Sequence, residues 1–274
     1  MISLNKSNSF SGNIPEIFDK YLRPLRFEPY AIDMATRVSK LAPLKVLELA
    51  CGTGILTNQL SKMLPIETCI DATDINPDML AIAKEKVGIE RVKWQVVDAM
   101  SLPFEEESFD CIAVQFGVMF YPDRIKGYEE SFRVLKAAGT LIFNTWDKME
   151  HNPMIQIVKG LTDDYFPEGL SCYYTLPFSY FDREVIASDL CKAGFSDVNT
   201  TLLKLNGYSK TSFAAAKGLL EGTPIYDSII AQHAGLLPEL VAELSDRLAK
   251  RFGAKDLKVP LQAIVASARK ETLN

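Results

Sequence analysis

The stretch Val46-Leu47-Glu48-Leu49-Ala50-Cys51-Gly52-Thr53-Gly54 reads as a short apolar strand entering a glycine-rich turn, with a helix opening behind it at Ile55. In α/β folds this junction brings backbone close to a nucleotide-like ligand at the strand ends. A dinucleotide fingerprint would need a third glycine at position 57 to seat a pyrophosphate on the helix N-terminus. Position 57 is Thr57, and the acidic Glu48 near the turn is hostile to a pyrophosphate.

Short apolar strands and helices alternate on both sides of this stretch. Strands are expected at Lys45–Leu49, Thr68–Asp74, Val92–Asp98, Asp110–Phe116 and Thr140–Trp146, and helices at about 56–63, 77–87 and 124–136. Such alternation implies a parallel sheet covered on both faces. Asn76 can cap a helix that starts on Pro77 and stops at Gly88, and Leu64-Pro65 closes the helix before it.

Upstream, apolar residues recur at helical spacing from Ile14 to Leu41, broken by Pro24 and Pro29, which predicts two amphipathic helices. Downstream, Asp182 caps a helix that Gly194 ends, Val198–Leu205 alternates as a strand, and Pro260–Ala268 reads as the last strand. Between these strands lie helices at about 211–220, 224–233 and 237–252. An insertion of that length in a hairpin is a candidate lid or substrate wall. The expected divisions are a flexible arm at 1–13, a helical cap at 14–43, a core at 44–208 and 259–274, and the helical insertion at 209–258.

Composition narrows the function. The chain has 274 residues, 47% of them hydrophobic and 24% charged, which is ordinary for a globular protein. Its longest unbroken apolar run, Met79 to Ala83, is far below the ~20 residues of a membrane-spanning helix. No secretory signal is visible, so the expected compartment is the cytoplasm. Five scattered cysteines and two histidines fit neither a disulfide framework nor a zinc site, and no metal is expected. A net charge of −5 without a basic block argues against nucleic acid as a partner. A homodimer stays open as the assembly.

Two further strand ends carry carboxylates. Asp74, closing the second strand, can accept both hydroxyls of a ribose, with Ile75 and Met79 placed to sandwich a purine. Asp98, before Ala99 and Met100, can accept from an exocyclic amine. Taken singly, each is equally a turn or capping residue.

The ordered set VLELACGTG, DINPDML, VVDAMSLPFEEESFD, VQFGVMFYPD and RVLKAAGTLIF resembles the class I S-adenosylmethionine-dependent methyltransferases, in the group that includes ubiquinone and menaquinone biosynthesis and small-molecule methyltransferases. The likeness is strong over about 44–147 and weak over the C-terminal strands. It implies a Rossmann-like sheet of seven mostly parallel strands with helices on both faces. It implies S-adenosylmethionine as cofactor and S-adenosylhomocysteine as product.

Carried over by position, Glu48, Ala50, Gly52 and Gly54 would line the methionine end of the cofactor. Asp74 would hold the ribose, Ile75 and Met79 the adenine faces, and Asp98 the adenine amine with help from the Ala99 backbone. Gln115 and Phe116 would sit beside the sulfonium. Tyr21, in FDKYLRPLRFEPYA, resembles the covering tyrosine of the family. Ala50 stands where the family usually has glycine, so a positive φ there would be strained.

Methyl transfer is an in-line displacement that asks chiefly for alignment and a dry site. Tyr21, Phe116 and Tyr121 are candidates to face the sulfonium, where an aromatic ring stabilises a desolvated cation by about 2 kcal/mol. Each can equally be packing. His151 is the better placed of the two histidines to act as a base for an acceptor that needs one. The aromatic run Tyr165, Phe166, Tyr173, Tyr174, Phe178, Tyr180 and Phe181 can line an apolar acceptor pocket or form a core. The expected activity is methyl transfer to a small, apolar or aromatic molecule. An NAD(P)-dependent oxidoreductase and a non-catalytic S-adenosylmethionine-binding module are the alternatives.

Overall fold

The computed structural model describes residues 10, 12–170 and 174–271. Most of the expected N-terminal arm lies outside these residues. The chain divides into two compact units. Of the described residues, a sheet unit comprises those within 30–147, 177–203 and 263–271, and a helical unit those within 10–29, 148–176 and 204–262.

Seven strands form one sheet: β1 Lys45–Leu49, β2 Cys69–Asp74, β3 Val92–Val96, β4 Phe109–Gln115, β5 Leu135–Trp146, β6 Ser196–Thr211 and β7 Lys255–Arg269, in the order β3-β2-β1-β4-β5-β7-β6. The β1/β2, β1/β4, β2/β3 and β4/β5 pairs are parallel and β5/β7 is antiparallel. Val46, Leu47, Ile70, Ala72, Ile112 and Ala113 are fully buried, as expected for central strands covered on both faces. The strand order reverses direction from β1, which has β2 on one side and β4 on the other. Their carboxyl ends are therefore the natural ligand crevice.

Among the described residues the α-helices run in chain order: α1 Ile14–Ile17, α2 Glu28–Lys40, α3 Ile55–Met63, α4 Pro77–Val87, α5 Arg124–Val134, α6 Pro153–Tyr165, α7 Arg183–Lys192, α8 Ser212–Glu221, α9 Ile225–His233 and α10 Leu237–Phe252. The Asn76 side chain accepts from the N–H groups of Asp78 at 2.9 Å and Met79 at 3.2 Å, and Gly88 ends α4 at φ +56°. Asp182 caps α7 in the same way. Both caps are those read from the sequence.

Several boundaries differ; the strand expected to reach Asp98 ends at Val96 and others shift by a single residue, and three differences are larger. The helical pattern from 14 to 40 is not broken at its prolines: Phe18–Phe27 winds as a π-helix, in which the Glu28 N–H reaches back to the Arg23 carbonyl. Pro24 brings no N–H of its own, and the wider winding accommodates it. Pro29 sits in the first turn of α2, where a proline is tolerated. The helix expected to reach 136 ends at Val134, because Leu135 already pairs with Phe109; a register shift follows before Cys111 pairs with Thr140. β6 and β7 are much longer than the short strands expected, at 16 and 15 residues.

In the helical unit, α10 buries Leu240, Val241, Leu244 and Leu248 along one stripe, the spacing of an amphipathic helix. Its other face carries the Arg247 pairs with Glu243 and Asp164. No helix among the described residues is long and apolar enough to cross a membrane.

Candidate functional site at the strand ends of the sheet unit

Between β1 and α3 the chain turns through Ala50 at φ +54°, Gly52 at +55° and Gly54 at +78°. The left-handed region is free for glycine but costs an L-residue ~1–2 kcal/mol, so Ala50 is a strained point of the turn. A Cβ built on Gly52 would meet no atom within 4 Å, so the backbone there faces open space. At Gly117 the opposite holds: an added Cβ would stand 2.7 Å from the Ala50 Cβ and 2.9 Å from Val114 Cγ1. The methyl on Ala50 thus requires glycine at 117.

Asp74 ties this turn to β2. Its Oδ2 accepts from the Gly52 N–H at 2.7 Å and its Oδ1 from the Asn76 N–H at 2.8 Å. Burial raises its pKa, and the N–H groups of Asn76, Gly52 and Ile75 pull it back. An ionised carboxylate offers about four acceptor sites, more than these N–H groups fill, so room is left for a ligand.

Glu48 is buried within β1. Burial raises its pKa to about 8, Asp74 adds to the rise, and Thr57 opposes it. Its Oε2 has no hydrogen-bond partner among the described residues, and neither has the buried Thr53 hydroxyl in the turn. Buried polar atoms are normally paired, so two orphans at one turn mark a place built for something else. No side chain caps α3, whose N-cap is Gly54.

On the adjacent strands, Asp98 Oδ1 accepts from the Met100 N–H at 2.9 Å, forming a tight turn that includes Ala99. Ile75 is exposed and Met79 buried beside Asp74. Gln115 ends β4. Phe116 adopts φ +51°, rare for a bulky residue. Its N–H donates to Asn144 Oδ1 at 2.9 Å, and its ring stacks on Trp146 at 3.9 Å and meets Tyr30 edge-on. Tyr121 follows a short 3-10 turn over Val118–Phe120.

Glu48, Ala50, Gly52, Gly54, Asp74, Ile75, Met79, Asp98, Ala99, Gln115, Phe116 and Tyr121 all lie in the sheet unit. Tyr21 and His151 belong to the helical unit. Tyr21, in the π-helical segment, has its Cβ 2.7 Å from where a Cβ on Gly218 would stand, and the Lys20 ammonium lies 5.0 Å from its ring centroid. His151 is exposed, with Nδ1 3.4 Å from Gln262 Nε2. The aromatic run divides: Tyr165, Phe166 and Tyr174 fall in the helical unit, Phe178, Tyr180 and Phe181 in the sheet unit. Tyr173 lies outside the described residues.

Sequence reasoning passed over Thr53, Thr57, Gly117 and Asn144. The signal for Asn144 was available: an amide amid the apolar run Leu141-Ile142-Phe143 must find a backbone partner. Gly117 carries no such signal, because its constraint comes from Ala50 across the turn.

Residues 30–167 match the model of the ubiE/COQ5 methyltransferase family. The chain belongs to the ubiE/COQ5 methyltransferase family. It is 30% identical over 171 residues to the ubiquinone/menaquinone biosynthesis C-methyltransferase UbiE of Citrifermentans bemidjiense, covering 56% of this chain and 71% of that one. It is 34% identical over 138 residues to the demethylmenaquinone methyltransferase of Staphylococcus aureus MRSA252, covering 47% and 56%. Among solved structures, phosphoethanolamine N-methyltransferase 2 of Haemonchus contortus, bound to S-adenosylhomocysteine, shares the fold with a TM-score of 0.59 at 18% identity, over 95% of this chain and 59% of that one. The cyclase SpnF shares it at 0.55 and 19%, over 90% and 82%. The chain is an S-adenosylmethionine-dependent methyltransferase for a small molecule, and the oxidoreductase alternative is not favoured.

Proposed function

We propose that this ubiE/COQ5-family enzyme methylates a small apolar aromatic molecule at the C-terminal ends of β1, β2, β3 and β4. The observation that carries the reading is the group of unsatisfied buried polar atoms, Glu48 Oε2 and the Thr53 hydroxyl, beside a Gly52 backbone that faces open space. That donor and acceptor set fits S-adenosylmethionine: a carboxylate for its ammonium, a hydroxyl and bare backbone for its carboxylate, and Asp74 for its ribose. When bound, the cofactor supplies a methyl group on a sulfonium whose positive charge is lost as the methyl leaves.

The chain's own work is positional. Glu48 pairs with the ammonium and is drawn into its charged form. Asp74 accepts from the ribose hydroxyls while holding the turn through Gly52. Ile75 and Met79 flank the adenine, and Asp98, with the Ala99 backbone, takes its amine. Gln115 and the strained backbone at Phe116 border the methyl path, where strain is held by the Asn144 bond and the Trp146 stack. For Tyr21 as cover and His151 as base, the support is family resemblance and place in the sequence.

Residues beyond 167, including α8, α9 and α10, lie outside the stretch matched by the family model, so the family match alone does not fix which molecule is the acceptor. Relatives are named for quinone biosynthesis, and that supports the class proposed here, an apolar ring compound rather than a polar amine. The test is transfer of labelled methyl from S-adenosylmethionine to a panel of quinols, phenols and polar amines. Labelling of apolar ring compounds supports the reading, and labelling of polar amines alone sinks it.

We further propose a cytoplasmic enzyme with no nucleic-acid partner, and a homodimer is the assembly to test. Cys51, Cys69, Cys111 and Cys191 are free thiols, as in a reducing compartment, and the net charge is −5. Sedimentation at micromolar concentration reads the assembly directly.

A further inference from the structure

We infer that the Tyr121 hydroxyl donates a hydrogen bond to the adenosine part of the cofactor, so that Tyr121 is a binding and specificity residue rather than a ring facing the sulfonium. This rests on the cofactor assignment above and adds a residue to it.

The ring of Tyr121 is seated against α5. A Cβ on Gly127 would stand 2.7 Å from its Cδ2 and 2.6 Å from Met100 Cε, so Tyr121 and Met100 share the surface that the glycine leaves bare. Met100 is two residues past Asp98, which places the ring on the Asp98 side of the strand ends. The hydroxyl is buried and has no hydrogen-bond partner among the described residues. Packing alone does not explain it. Phenylalanine would fill the same space and avoid the cost of a buried, unpaired hydroxyl.

The charged groups that act on this hydroxyl are Asp74 and Asp98, the carboxylates assigned to the ribose and the adenine amine. Both are acceptors, and they serve the donors of adenosine. Adenosine also presents acceptors, its ring nitrogens and ribose ring oxygen, which a carboxylate cannot satisfy. Tyr121 supplies the missing donor at that spot. Burial, then Asp74 and Asp98, raise the phenol's pKa, so it keeps its proton at any working pH.

The decisive variant is Tyr121→Phe, which keeps the ring on Gly127 and removes only the hydroxyl. Calorimetric titration of the full chain with S-adenosylhomocysteine and with 5′-methylthioadenosine is compared with wild type, alongside thermal unfolding without ligand. The expected result is a midpoint equal to or above wild type, and a Kd raised roughly tenfold for both ligands. An unchanged Kd for S-adenosylhomocysteine overturns the inference. So does a loss with S-adenosylhomocysteine that is absent with 5′-methylthioadenosine, since it would put the hydroxyl at the methionine end. Wild type that binds neither ligand is a different failure, that of the cofactor assignment itself. If Tyr121→Phe does not fold, wild type is titrated with 5′-methylthioadenosine analogues in which each ring nitrogen or the ribose ring oxygen is replaced by carbon. One must then lose about the same factor, and none losing affinity overturns the inference.

Discussion

At the N-terminal ends of the strands, Asp110 accepts from the N–H groups of Leu44 at 3.0 Å and Lys45 at 2.7 Å and pairs with the Lys136 ammonium at 2.8 Å. Partial burial would raise its pKa, but Lys136 and these N–H groups win and hold it below the usual carboxylate range. At the C-terminal ends, Glu48 and Asp74 are raised instead, chiefly by burial, and no cation is among the causes acting on either. One end of the sheet is electrostatically finished, and the other is left needing a cation and hydroxyl donors. The finished end serves the fold. The unfinished end is where perturbed acids, orphaned polar atoms and left-handed backbone gather, the signature of a site that pays in stability for function.

The comparison breaks most visibly at Asp74. Asp74→Ala removes the acceptor for the ribose and loosens Gly52, and S-adenosylhomocysteine affinity should fall at least ~100-fold, the scale of two hydrogen bonds to a charged group. Calorimetry checks this, and an affinity within threefold of wild type would remove Asp74 from the site.

Gly117→Ala tests the packing of the same turn. Its new methyl meets Ala50 at 2.7 Å, and overpacking of this kind costs roughly 1–3 kcal/mol. Ala50→Gly in the same chain should restore part of the loss in denaturant unfolding, the contact with Val114 Cγ1 at 2.9 Å remaining. Additive effects would show that the two residues are not coupled.

Glu48 should give the turn a pH dependence of its own. Its folded pKa of about 8 lies above the ordinary glutamate value of 4.5, so the folded chain binds the extra proton. Stability from this group is full below the unfolded value and is lost as pH rises toward the folded one. Affinity for the ligand ammonium runs the other way, rising roughly tenfold per pH unit below 8 as less proton must be displaced. Glu48→Gln should flatten both slopes between pH 6 and 8, and parallel slopes in the two proteins would assign the titration elsewhere.

The smallest effect belongs to the finished end. Asp110 is depressed, so its contribution is present above the unfolded pKa and disappears as pH falls through the folded one. For a half-exposed group, Asp110→Asn should cost only about 1 kcal/mol at pH 7 and leave S-adenosylhomocysteine affinity unchanged. A tenfold loss of affinity would mean that the two ends are not independent.

Much of this was legible in the residues. Short apolar runs alternating with helical segments located the five parallel strands, and Asn76-Pro77 with Gly88 bracketed α4 because capping chemistry is local. The Gly52 turn, Asp74 and Asp98 could be read because each closes or closely follows a recognisable strand. The early start of β5 could not, since Leu135 is recruited by Phe109 on another strand rather than by its neighbours. The π winding over 18–27 was equally hidden, because the periodicity of apolar residues does not report which carbonyl each N–H selects. The coupling of Ala50 to Gly117, far apart in the chain, is a contact that only the folded turn creates.

Backbone hydrogen exchange with and without S-adenosylhomocysteine reads both ends of the sheet in one experiment. Ligand-induced protection is expected at residues 50–57, 74–79, 98–100 and 115–121, with 44–45, 68–69 and 109–111 unchanged. Protection at the Asp110 end, or none at the Gly52 turn despite saturation, would contradict the assignment of the cofactor to the unfinished end.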